Sequence, residues 1–189
     1  EKKIDRPVYN LGVSGYGTIK KIIRLQKSDL VDLVDTVIIQ YTYNDWGENN
    51  SYKGNTLDEA KKKFNVVSES DPISFLKKLR KSFRYSLTIP IDLVTKKNQI
   101  MDFDHHKKKL HEVIRDFQFL NEKRIILFYS NGYNMQFGNF PSNRVSSVIK
   151  NLFFVDLELN EKHFFKIDGH LNKLGHKAAA EKLHKILTE

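Results

Sequence analysis

The sequence predicts an α/β protein, a parallel sheet sandwiched by helices. Three observations carry that prediction. The runs Thr36–Tyr41 and Arg124–Tyr129 are β-branched or aromatic along nearly their whole length, as strands covered on both faces are. Segments with apolar residues at helical spacing lie between such runs. The two kinds of segment alternate along 189 residues with no shift in composition, so one domain with one substantial core is expected.

Composition narrows the chemistry. Cysteine is absent, which removes disulfides, zinc-thiolate sites and a cysteine nucleophile. The formal charge is +9, yet the lysines are scattered, as in Lys20-Lys21, Lys61-Lys62-Lys63 and Lys107-Lys108-Lys109, and aromatics such as Tyr41, Phe128, Phe153 and Phe154 fall inside apolar strands. A single-stranded nucleic-acid groove interleaves exposed aromatics with charge, so no nucleic-acid partner is expected. No apolar run reaches membrane-spanning length, and no secretory leader stands at Glu1-Lys2-Lys3; location and oligomeric state are left open.

Taken in order, Pro7–Val13 predicts a short strand that runs into Ser14-Gly15-Tyr16-Gly17 and a helix starting at Thr18, with Ile19, Ile22, Ile23 and Leu25 on its apolar face. Such a turn offers backbone N–H groups where negative charge is favoured. A nucleotide phosphate, a reaction-generated oxyanion, or no ligand at all would each suit it; the spacing Gly-x-x-Gly-x-Gly is not the dinucleotide fingerprint. The strand Thr36–Tyr41 ends in Thr42-Tyr43-Asn44-Asp45. At the carboxyl end of a sheet strand the Asn44 amide is placed to donate to an oxyanion, or Asn44 and Asp45 simply form a turn.

Residues 48–72 are polar and read as an insertion or lid, with Asn49-Asn50-Ser51 a glycosylation sequon. Helices are expected over 74–86 and from an Asp104 N-cap through Leu110, Val113, Ile114, Phe117 and Leu120, with Ile89-Pro90-Ile91 a break before it. His105, His106 and His111 do not share a face and read as surface residues. After the strand Arg124–Tyr129 come a helix over 142–151, a strand over 152–157 and a terminal helix over 173–188 with Leu174, Ala178, Leu183 and Leu187 inward.

The turn before that last helix, Asp168-Gly169-His170-Leu171-Asn172, sets an Asp two residues before a His. The carboxylate can bond one imidazole nitrogen and leave the other to act as general base; equally, Asp168 could cap the helix and His170 be an ordinary loop residue.

Three stretches in this order resemble blocks of the SGNH (GDSL-like) hydrolases. Val8–Thr18 resembles the second block, Tyr43-Asn44-Asp45 the third, with Thr42 where a Gly is usual, and Asp168–Asn172 with Gly175-His176 the fifth, in the shorter Asp-x-His form seen in SGNH-like enzymes and acetyltransferases acting on polysaccharides. The resemblance implies a three-layer, flavodoxin-like α/β/α sandwich and a serine esterase working through an acyl-enzyme. It implies Asp168 and His170 as catalytic residues and Gly15 and Asn44 as the oxyanion hole, no cofactor, and a carbohydrate or small-molecule ester as substrate, with acyl transfer as a related outcome. The first block, Gly-Asp-Ser with the nucleophile, has no counterpart, so the expectation is a domain truncated at its N-terminus. In the strand order 2-1-3-4-5, Pro7–Val13 and Thr36–Tyr41 would then flank the absent strand. The rival expectation is an inactive module of the same fold that binds a glycan or a protein.

Overall fold

The computed structural model describes residues 7–13, 15–52, 99–130, 135–138, 140–141, 143–165 and 170–188. Helix α1 spans Thr18–Gln26, strand β1 Thr36–Tyr41, helix α2 Tyr43–Asn50, strand β2 Gln99–Asp102 and helix α3 Phe103–Asp116. Strands β3 to β6 are Arg124–Tyr129, Met135–Gly138, Arg144–Val145 and Leu152–Val155, and helix α4 is Lys173–Thr188. The main sheet has the order β1-β3-β6-β5; β1, β3 and β6 are parallel, and β5 is antiparallel at the far edge. Strands β2 and β4 form a separate parallel pair.

Register divides the sheet into two faces. Ile39, Tyr41, Ile125, Leu127, Leu152 and Phe154 face one core with Ile19, Ile22 and Ile23 of α1 and Phe103, Leu110, Val113 and Ile114 of α3. Ile126, Phe128 and Val155 face the other with Ala179, Leu183 and Ile186 of α4. Alternation with period two therefore sends successive residues of β3 into opposite cores, which is why it reads as a continuous apolar run, whereas β1, expected to be covered on both faces, buries only Ile39 and Tyr41 and leaves Ile38 39% exposed on the other face. Each buried Ile or Leu contributes roughly 1.5–3 kcal/mol of transfer free energy.

Several expectations are corrected. Pro7–Val13 forms no strand: the Asn10 side chain accepts the Gly12 N–H at 2.9 Å, diverting backbone that a ladder would use, and residues 7–10 are exposed. With that strand gone, nothing among the described residues pairs with the other side of β1, so the expected pair of strands around an empty slot does not form. The helix expected over 142–151 is replaced by β5 and a turn. Asn143 is left-handed (φ 50°), and Ser146 Oγ accepts the N–H groups of Val148 and Ile149. Strand β6 stops at Val155. Helix α3 begins at Phe103, so Asp104 lies in its first turn rather than capping it, and Phe117 and Leu120 reach the core from a 3-10 turn beyond its end. Helix α4 has the expected bounds, but Gly175 and Ala179 face inward while Leu174 is 56% exposed. Helix 74–86 and residues 53–72 of the expected lid lie outside the described residues; Glu48, Asn49 and Tyr52, at its expected start, are buried.

Candidate active site

The carboxyl end of β1 passes directly into α2. Thr42 is the N-cap, and Asp45, three residues on, accepts the Thr42 N–H at 2.7 Å and its hydroxyl at 2.9 Å. Where an Asn44-Asp45 turn was one expectation, the stretch is a capped helix with Asn44 in its first turn; the Asn44 side chain lies outside what the structure describes. Thr42-x-x-Asp45 is a capping-box pattern, and that was the signal available in the sequence.

Asp45 also reaches α1. Its carboxylate accepts Thr18 Oγ1 at 2.7 Å and Lys21 Nζ at 2.9 and 3.1 Å, and the same ammonium donates to the Gln40 carbonyl at 2.6 Å. Asp45 is fully buried, and such a charge is tolerable only with partners of this kind. One turn along α2, Glu48 accepts the Lys20 N–H at 3.3 Å and lies 3.6 Å from Lys20 Nζ. The chain's own Glu48 thus supplies a negative charge at the N-terminus of α1, where one is favoured. Burial pushes the Glu48 carboxyl up, against the pull of the Lys20 backbone N–H and ammonium, and Asp45 adds to the rise.

Gly15 sits two residues before the N-cap of α1. A bond from Tyr16 N–H to the Val13 carbonyl at 3.2 Å closes the turn, and Gly15 has φ 80°, a left-handed conformation that favours glycine. Because Lys21, one turn into α1, bonds Gln40 near the end of β1, the N-terminus of α1 and the Gly15 turn lie at the carboxyl end of the sheet, as Asn44 does.

His170 reaches that end from the other face. Arg124, at the start of β3, donates to the Ile186 carbonyl near the end of α4 at 3.0 Å, so α4 runs antiparallel to the strands and its N-terminus lies at their carboxyl ends. Phe164 and Leu171 form an antiparallel bridge, and Phe165 N–H donates to the His170 carbonyl at 2.8 Å. Phe164 and Leu171 are buried; Phe165 and His170, directly opposite each other on the next rung, are exposed. The N-cap of α4 is Asn172, whose Oδ1 accepts the N–H groups of Leu174 and Gly175 and whose Nδ2 donates to the Lys162 and Phe164 carbonyls. Capping thus falls to Asn172, and Asp168 lies outside the described residues.

Two histidines expected at the surface are buried. His106 Nδ1 lies 3.4 Å from Tyr41 Oη, and Trp46 stacks on its ring. Burial raises the Tyr41 phenol well above its ordinary range. His111 Nε2 lies 3.0 Å from Ser146 Oγ, and burial with Lys107 and Arg115 nearby pushes its pKa down to about 4. It therefore stands neutral and accepts the Ser146 hydroxyl proton, while Ser146 Oγ accepts two backbone N–H groups. This joint pins β5 to α3. Asn49, the sequon residue, is 1% exposed and closed to a glycan.

Among the described residues no cluster of three or more His, Asp or Glu could hold a metal ion, and no helix is long and apolar enough to cross a membrane. Comparison with family models, curated proteins and solved structures returned no match to this chain. Its class accordingly stays at the level the geometry defines: a mixed α/β protein with a mostly parallel four-stranded sheet and helices on both faces.

Proposed function

We propose that the chain is the core of a serine ester hydrolase of the SGNH type, with a flavodoxin-like sheet, deacylating a carbohydrate or small ester. The observation that supports this reading most is one of placement. The left-handed Gly15 turn, the first turn of α2 with Asn44, and the exposed His170 come from three distant parts of the chain and lie at the same, carboxyl end of the parallel strands, where open α/β sheets bind ligands. In this reading the nucleophile is the serine of a Gly-Asp-Ser block, for which these 189 residues offer no counterpart. Its oxygen attacks the ester carbonyl while His170 takes the proton, Asp168 holding the imidazole in the right tautomer. The Gly15 N–H and the Asn44 amide hold the oxyanion, each donor contributing about 3 kcal/mol of barrier lowering. His170 then protonates the departing alcohol, and water, activated by the same imidazole, hydrolyses the acyl-enzyme.

The test is to label the intact protein with a fluorophosphonate and map the modified residue. A labelled serine, with labelling lost in His170→Ala, is expected. A folded intact protein that neither labels nor hydrolyses small acetyl esters overturns the reading in favour of a binding module.

A further inference from the structure

The geometry points to Asp45 as the positioning residue that sets the Gly15 turn and Asn44 in register, an inference resting on the hydrolase reading above. The two proposed oxyanion donors stand on separate elements. Gly15 lies ahead of α1 and Asn44 opens α2, and the chain joins α1 to β1 only through residues 27–35, at the far end of the sheet. At the near end their separation depends on side chains. Asp45, next in sequence to Asn44, bonds both elements: it holds Thr42 at the start of α2, and Thr18 and Lys21 on α1, while further along α2 Glu48 and Asn49 add bonds to Lys20 and Thr18. Thr18 is three residues from Gly15 and fully buried, as Asp45 is.

The chemistry explains why a carboxylate would stand there. A buried ion pair is weak evidence for stability, since well-packed apolar residues often do as well. Bonds from four donor groups to one rigid carboxylate, however, fix both distance and orientation. An oxyanion hole needs that fixity, because its donors must converge on one atom to within about 0.5 Å, and a misplacement of about 1 Å can cost about 100-fold in rate.

The experiment uses the intact protein, with active sites titrated by fluorophosphonate so that rates refer to competent molecules. Thr18→Val removes the hydroxyl bonded to Asp45 with little change of shape, and Lys21→Met removes the ammonium. Each is expected to lower kcat on a small acetyl ester about tenfold or more with KM unchanged, and Thr18→Ser to restore it. In an Asn44→Ala background Thr18→Val should lower kcat less than about twofold, because the group it positions is gone. Tyr52→Phe, which breaks the distant Tyr52–Asp116 bond, should lower the melting temperature and leave kcat alone. Thr18→Val and Lys21→Met proteins that lose thermal stability while keeping kcat per titrated site overturn the positioning role, as do Thr18 and Asn44 losses that multiply independently. A wild-type protein that neither labels nor turns over overturns the hydrolase reading, and the role of Asp45 with it.

Discussion

Glu48 fills the space above Gly17: a methyl group built on Gly17 would come within 2.4 Å of the Glu48 carboxylate and 2.9 Å of its Cβ. The close approach lets a side chain of α2 cap the N-terminus of α1, whose own N-cap residue has no side chain to do so.

Replacing Glu48 should separate its cap from its charge. Glu48→Ala removes the acceptor and should cost about 1 kcal/mol by chemical denaturation. Glu48→Gln keeps an acceptor. The native carboxyl titrates above its ordinary value of 4.5, so above that pH the native state holds more of its proton than the unfolded state, and wild-type stability falls as pH rises toward the native pKa. The stability of Glu48→Gln relative to wild type should therefore improve with rising pH across that window; a difference that does not vary with pH contradicts the assignment.

Buried His111 works in the opposite direction. With its pKa pushed from 6.5 to about 4, its contribution is fully present above about pH 6.5 and is lost as pH falls toward 4, by up to about 3 kcal/mol. His111→Gln, which retains a polar group toward Ser146, should flatten that part of the pH–stability curve. Parallel curves for the two proteins would show that His111 does not titrate between the two states.

Gly175 permits α4 to touch the turn before it. A Cβ there would stand 2.2 Å from the His163 carbonyl oxygen, a backbone atom that cannot swing aside. Gly175→Ala should lower the unfolding free energy by about 1–3 kcal/mol, read as a shift of the denaturant midpoint at constant slope. Unchanged stability would mean that the helix and turn are not in contact.

Phe165 faces the same side of the bridge as His170, with Cα atoms of such a pair about 5.5 Å apart, and the residue is 54% exposed. Under the hydrolase reading it forms an apolar wall for the ester beside the base. Phe165→Ala should raise KM several-fold with little change in kcat, measured on esters differing only in the alcohol portion. Equal effects on all esters, or none, would remove Phe165 from the substrate site.

The core elements were legible because their signals are local. Thr36–Tyr41, Arg124–Tyr129 and the helix over 173–188 announce themselves through period and β-branching, and they form within those bounds. Pro7–Val13 misled because alternating apolar residues do not reveal that Asn10 will take the Gly12 N–H. His106 and His111 misled because helical spacing shows which residues share a face, not which faces another element will cover.

The sequence by itself determined the α/β class of the fold and the glycine turn, since these depend on residue type and on neighbours a few positions away. Only the tertiary structure decided what Asp45 and Glu48 do. Their partners, Thr18, Lys21 and Lys20, are 24 to 28 residues away, and the bonds exist because α1 and α2 meet at the end of β1. A carboxylate in a sequence is equally a surface charge, a cap or an acid; burial beside a particular hydroxyl and ammonium selects among them, and burial is a property of the packed molecule.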